Sequence, residues 1–215
     1  MILNKDLNQK IYLLAKSIFD IIFSIIFLFI GLPAFLVIAL LVKFSSSGPI
    51  FFYHKRIGKN GKVFDCIKFR TMYPESKDIL QNLLNNNEEL KLEFKRNHKL
   101  KNDPRITPFG RFLRKSSLDE IPQFLNVLKR DMSIVGPRPI VNEEKVKYGE
   151  DLPKILKIKP GITGLWQVSG RNNLSYKKRV DLDLIYTKNL NFLMDLRILI
   201  RTFGVILFPR DRGAY

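Results

Sequence analysis

Arg114-Lys-Ser-Ser-Leu-Asp119-Glu120-Ile-Pro-Gln-Phe-Leu-Asn-Val-Leu-Lys-Arg-Asp131 sets two adjacent carboxylates directly behind a run of cations, and the chain continues to Gly136-Pro-Arg138-Pro139. Ser116 or Ser117 can cap a helix, with Asp119 and Glu120 in its first turn and Pro122 early enough to be tolerated. From Ile121 onward Ile121, Phe124, Leu125 and Leu128 recur at helical spacing, which predicts one buried face. Both carboxylates then sit at the positive end of a helix dipole, a setting that favours ionised carboxylates and a bound anion together. An acidic pair in a first turn also serves merely to complement that dipole. The surrounding sequence has to decide between the two.

The 215 residues carry a formal net charge of +17, and 46% of them are apolar. That length suits one domain with an appendage, and the charge selects anionic partners: phosphate esters, anionic headgroups or nucleic acid. Nucleic acid is disfavoured, because no helix-turn-helix, finger or stacking-sheet pattern accompanies the charge. The single cysteine, Cys66, rules out an internal disulfide and reads as a half-buried packing residue. His54 and His98 have no partner at metal-ligand spacing.

Residues 21–42 hold no charged residue. As a straight helix they would reach roughly 33 Å, enough to cross a hydrocarbon core. The run is too long for a cleavable signal peptide, and no small-residue cleavage site follows it. Its flanks argue against a span: Lys5, Lys10 and Lys16 precede it, and Lys43, Lys55, Arg56, Lys59 and Lys62 follow it. Positive charge marks the cytoplasmic side, and here both ends claim it. Gly31-Leu32-Pro33 lies at the centre, where proline removes a backbone bond. These features predict a bent, re-entrant helix hairpin dipping into one leaflet, over residues 1–43, with a second domain over 44–215.

Beyond a turn at Ser45–Pro49, Ile50–Tyr53 and Val63–Met72 predict a β-hairpin closed by Asn60-Gly61. Lys68 is the cation expected to face inward. Arg70 reads equally as a solvated strand residue or a phosphate contact. Residues 75–103, with six cations and six anions, predict a solvated helical insertion. In 109–115 rings alternate with cations, as an interfacial helix requires. Arg138, fixed between two prolines, presents its planar fork to a diphosphate or a nucleotide, or holds a tight turn. Lys159–Asn172 reads as a glycine-rich loop whose backbone can approach a ligand, with Trp166, Gln167 and Arg171 available for stacking and hydrogen bonds. Residues 192–208 predict a basic amphipathic helix packed on the domain or lying in the interface. The fold class is α+β, mostly helical, with a small β-hairpin.

The order of an arginine, Ser-Leu-Asp119-Glu120, a Pro/Gln-containing helix, Asp131-Met-Ser and Gly136-Pro-Arg138-Pro139 resembles the catalytic segment of bacterial sugar transferases acting on polyprenyl phosphate, the monotopic phosphoglycosyltransferases. Lys68-Phe-Arg70-Thr71-Met72, the Trp166 loop and Asp181–Tyr186 continue the similarity. The resemblance implies transfer of a sugar 1-phosphate from a UDP-sugar to undecaprenyl phosphate, with release of UMP, as the first step of a capsule, exopolysaccharide or other surface glycan. It implies Asp119 as nucleophile, Mg²⁺ held partly by Asp119, and Glu120 as an aid to metal, nucleophile or acceptor. Arg114 would bind phosphate, Arg138 the departing nucleotide, and Lys68, Arg171 and Asp183 would complete the site. It also implies a membrane-penetrating hairpin and a catalytic domain on the cytoplasmic face of the bacterial inner membrane. Galactose or glucose is preferred over an N-acetylated sugar, and the oligomeric state, a homo-oligomer included, is left open. A membrane-anchored scaffold without catalysis is the rival reading, and the Asp119–Glu120 pair argues against it.

Overall fold

The computed structural model describes residues 2–97, 100–170 and 173–207. Two antiparallel strands, β1 (Phe51–Ile57) and β2 (Val63–Phe69), pair from Phe51↔Phe69 to Ile57↔Val63. Asn60 and Gly61 both take positive φ, 56° and 79°, so the predicted turn forms with a twist that matches the strands. Directly opposed residues of an antiparallel pair share a face. Phe52, His54 and Arg56 therefore stand beside Lys68, Cys66 and Phe64, while Phe51 and Phe69 point the other way, with ring centroids 5.7 Å apart. The free edge of β2 is closed by one side chain: Asn126 accepts from Ile67 N (2.9 Å) and donates to Asp65 O (2.7 Å). That satisfies edge groups which would otherwise invite another strand.

The apolar segment is one long helix, α1 (Ile2–Ser45), continuous through Pro33. Gly31–Pro33, where the bend was expected, are helical throughout. Its outward face shows an apolar stripe at spacings of three and four, including Ile11, Ile18, Ile25, Phe29, Leu36 and Leu40, all exposed. The inward face touches the domain along most of its length. Lys16 pairs with Asp195 (2.9 Å), Asp20 accepts from Ser133 Oγ (2.7 Å), Phe27 stacks on Phe124 (4.2 Å) and Phe35 tilts against Phe69 (5.0 Å). Tertiary contacts on both sides of Pro33 hold the helix where proline removes a backbone hydrogen bond.

Arg70 does neither of the jobs expected of it. Its buried guanidinium donates to the carbonyls of Val42 (3.0 Å), Ser46 (2.8 Å) and Ser47 (2.5 Å), and so caps the C-terminus of α1. Gly48 lets it in: φ is +112°, and a Cβ there would lie 2.3 Å from Arg70 Nη1. Arg70→Met should lower stability by about 2–4 kcal/mol, because three carbonyls lose a charged donor. Thermal unfolding in detergent checks this, and Arg70→Lys should not restore it, since an ammonium cannot reproduce the fork.

Two polar helices follow, α2 (Ser76–Asn86) and α3 (Glu88–Asn97), and α2 buries no residue, as expected of the insertion. Next come α4 (Pro108–Ser116), with its N-terminus capped by Thr107 Oγ1, and the short α5 (Gln123–Leu128). A parallel pair, β3 (Ser133–Val135) and β4 (Gly161–Thr163), is flanked by α6 (Lys145–Tyr148), α7 (Leu152–Ile155) and α8 (Leu165–Ser169). The chain closes with α9 (Tyr176–Lys188) and α10 (Phe192–Leu207). The glycines read as room for a ligand also let backbones meet, and Gly161 lines a cleft beside Glu120. A Cβ on Gly161 would lie 2.1 Å from Gly136 N, and one on Gly164 would lie 2.2 Å from Gly136 O. The segment read as one loop is thus a strand and a helix pressed against β3.

Candidate active site

Asp119 and Glu120 do not open a helix. Ser117, in the left-handed region at φ 60°, ends α4, and Leu118–Glu120 form a single 3₁₀ turn before Pro122 and α5. Ser116 Oγ bonds back to Phe112 O (2.9 Å) and caps nothing ahead of it. The positive field at the carboxylates therefore comes from side chains, not from a helix dipole.

Lys68 Nζ donates to Glu120 Oε1 at 2.5 Å, across 52 residues of sequence. Burial pushes the Glu120 carboxyl up, but Lys68, Arg138 and Arg56 outweigh it and hold Glu120 below the usual carboxylate range. A third of the Glu120 side chain remains open to solvent. Asp119 is 9% exposed. Burial, and then the neighbouring Glu120 charge, push its carboxyl up to about 6, against the pull of Lys68 and Arg114. Arg114, half-buried on α4, donates from Nε to Thr71 Oγ1 (2.9 Å). Gly110 lets α4 sit this close, since a Cβ there would lie 2.1 Å from Thr71 O.

Beside the pair opens a small cleft lined by Arg56, Cys66, Lys68, Glu120, Gln123, Arg138 and Gln167, among others. Three cations in so small a space suit a polyanion. Arg138 lies 5.6 Å from the centre of the Trp166 ring, which Arg179 approaches at 5.0 Å. Trp166 is thus a buried anchor that aims arginines. Arg56, unremarked in the sequence beyond its charge, donates to Pro139 O (3.1 Å) and lies 3.8 Å from Glu144, so it ties the hairpin to the Arg138 segment. Only strand register reveals that it shares a face with Lys68.

Asp183 is not on the cleft. It is fully buried on α9, accepts from Tyr148 Oη (3.3 Å), and meets the Arg138 backbone amide. Burial pushes its carboxyl up to about 8, against the pull of Tyr148 and Arg138. Arg171 lies outside the described residues. Lys68, Arg114, Asp119, Glu120 and Arg138 are brought together from four separate elements.

Mg²⁺ is usually held by one or two carboxylates plus substrate phosphates. Among the described residues no group of three or more histidine, cysteine or acidic side chains could hold a metal by itself. Asp119 and Glu120 fit the shared mode, because the raised Asp119 carboxyl is stabilised by any added cation.

The profile of the family described as bacterial sugar transferase matches residues 11–209. The chain belongs to this family of transferases. It is 50% identical over 201 residues, 93% of its length, to "Undecaprenyl-phosphate galactose phosphotransferase" of Salmonella typhimurium, of which that match covers 41%. It is 43% identical over 202 residues to "Exopolysaccharide production protein ExoY" of Rhizobium meliloti, covering 94% of this chain and 88% of that one. It is also 38% identical over 205 residues to "UDP-glucose:undecaprenyl-phosphate glucose-1-phosphate transferase" of Xanthomonas campestris, covering 91% and 39%. The chain thus spans less than half the length of two of these three relatives.

Proposed function

We propose that the protein transfers a sugar 1-phosphate from a UDP-sugar to undecaprenyl phosphate, the first step in building a capsule, exopolysaccharide or similar surface glycan. The observation that carries this reading is a nearly buried carboxylate, Asp119, flanked by Glu120, Lys68 and Arg114 beside a cleft lined by Arg56 and Arg138. Phosphoryl-type transfer needs charge neutralisation and positioning more than difficult covalent chemistry. The names of relatives point to galactose or glucose as the sugar.

In the first step an Asp119 carboxylate oxygen attacks the phosphorus that bears the sugar. A carboxyl–phosphate bond forms, the bond to the bridging oxygen breaks, and UMP leaves with the electron pair. Arg138 and Arg56 stabilise the departing nucleotide, and Lys68 and Arg114 bind the phosphoryl oxygens. Polyprenyl phosphate then attacks the same phosphorus and frees Asp119. Glu120, held ionised by Lys68, orients the entering group or takes its proton. Asp119, with Glu120, would hold Mg²⁺, which when bound supplies neutralisation of the diphosphate charge.

The same geometry supports a non-spanning membrane attachment. An apolar stripe runs along the outer face of α1, while its inner face stays packed on the catalytic domain both before and after Pro33. A crossing helix would carry those domain contacts into the hydrocarbon. A helix lying shallow in one leaflet keeps both ends, and the site, on one side. That side is the cytoplasmic face of the inner membrane, where lysines flank both ends of the run.

Intact-protein mass spectrometry of nanodisc-held protein, mixed with Mg²⁺ and UDP-galactose or UDP-glucose without acceptor, tests the covalent step. The expected result is a mass gain of one hexose phosphate with release of UMP. No adduct, with UMP appearing only when polyprenyl phosphate is added, would establish direct transfer instead.

A further inference from the structure

The β-hairpin extends the cleft outward on the face that carries Lys68. Phe52 opposes Lys68 and His54 opposes Cys66, so both rings stand in the row that ends at Arg56. Their ring centroids are 5.7 Å apart at an interplanar angle of 61°. Phe52 is 51% exposed, a large apolar ring left open beside an ion pair. Nothing in the chemistry of the two carboxylates uses either residue.

His54 is set up differently from an exposed histidine. Arg56 Nη2 lies 3.3 Å from His54 Nδ1, and a guanidinium can only donate, so Nδ1 accepts and the ring proton sits on Nε2. Burial, and then the charges of Arg56, Lys68 and Arg138, push the ring down to about 4, with Glu143 as the one carboxylate pulling the other way. The imidazole therefore stays neutral across the physiological range. It offers a fixed N–H donor and an aromatic face next to a row of cations.

We infer that Phe52 and His54 form a recognition wall for a polar ring of the sugar nucleotide, Phe52 packing on the ring face and His54 Nε2–H donating to a ring oxygen or hydroxyl. This deepens, and rests on, the proposed use of a UDP-sugar. The ligand class is a planar or pyranose ring linked to a diphosphate: the diphosphate is drawn to Lys68, Arg56 and Arg138, and the ring lies one strand residue further out. Uracil and the hexose both meet that description, and a nucleotide without the sugar separates them.

The test is isothermal titration of nanodisc-held protein with UDP-galactose, UDP-glucose and UMP, alongside steady-state UMP release. The variants are Phe52→Leu and His54→Phe, the latter keeping a ring but not the donor. Each variant should weaken UDP-sugar binding about tenfold, in line with the loss of one stacking or donor contact, with thermal unfolding unchanged and the KM for polyprenyl phosphate unmoved. A parallel loss of UMP affinity assigns the wall to uracil, and an unchanged UMP affinity assigns it to the hexose. Unchanged UDP-sugar binding in both variants, or a shift confined to the polyprenyl phosphate KM, would overturn the inference. Wild-type protein that binds the nucleotides without turnover would sink the transferase reading and leave this wall standing. No uridine nucleotide binding at all would sink both.

Discussion

Asp119→Asn is expected to lower kcat by at least about 10⁴-fold, because the amide cannot form the acyl phosphate and only positioning by the surrounding cations remains. The same variant should be more stable than the parent. The Asp119 carboxyl is pushed up to about 6 by burial and by Glu120, so the folded chain holds a proton that the unfolded chain has lost above about pH 4. Where the folded state binds more protons, stability falls as pH rises. The loss runs from about pH 4 to about pH 6 and is complete above that, at roughly 3 kcal/mol. Asparagine removes it. Denaturant unfolding in the presence of a chelator should show parent and variant converging near pH 4 and the variant ahead at pH 7.5. Equal pH dependence of the two would mean that Asp119 is not strained in the fold, and near-normal turnover of the variant would end its assignment as nucleophile.

Lys68→Met carries the second large effect, a fall in kcat/KM of about 10²–10³-fold. Two losses combine. The phosphoryl oxygens lose a cation, and Glu120 loses the 2.5 Å partner that keeps it ionised. With the Lys68 charge gone from beside the pair, the Asp119 carboxyl rises and less of the nucleophile is ionised at a given pH. The pH-rate profile should shift to higher pH on its acid side. Adding Glu120→Gln to Lys68→Met should move the profile back without restoring the lost cation, so the double-mutant cycle divides the two losses. A cycle in which the two changes simply add would mean that the ion pair does not act on Asp119. A variant of normal activity would remove Lys68 from the site.

The hairpin was readable in the sequence, although its first strand runs on from Tyr53 to Ile57 and its second ends at Phe69 instead of Met72. Its strands are aromatic and β-branched, and Asn60-Gly61 admits the two positive φ values that the turn requires. Strand alternation puts Lys68 and Arg70 on the same face, and the sequence offered no sign that Arg70, just past the end of β2, would turn to the end of α1. That bond joins residues 23–28 positions apart through a turn whose shape depends on Gly48. The acidic pair was legible as a candidate site through motif order. Its local structure was not, because a Ser-Ser before two carboxylates suits an N-cap as well as the left-handed end of the preceding helix. Asp183 shows the converse error. Its place in a matching segment marked it for the site, yet it is buried behind Arg138, where it braces the backbone. Continuity of α1 through Pro33 was equally hidden, since the contacts that steady the helix on either side belong to distant parts of the chain.

What the sequence by itself determined here is chemical class: an uncharged 22-residue run between lysines, an excess of cations, and an Asp-Glu pair in a recognisable order. These depend only on which residues are present and how they are spaced. The tertiary structure decided which cations serve the carboxylates. Lys68, Arg56 and Arg138 reach the cleft from a hairpin and a proline-fixed loop, while Arg70, two residues from Lys68, is spent on a helix end. Charge–charge interaction falls off with distance in space and not with distance along the chain, so the electrostatics of the site exist only once strand register and helix packing have set those distances.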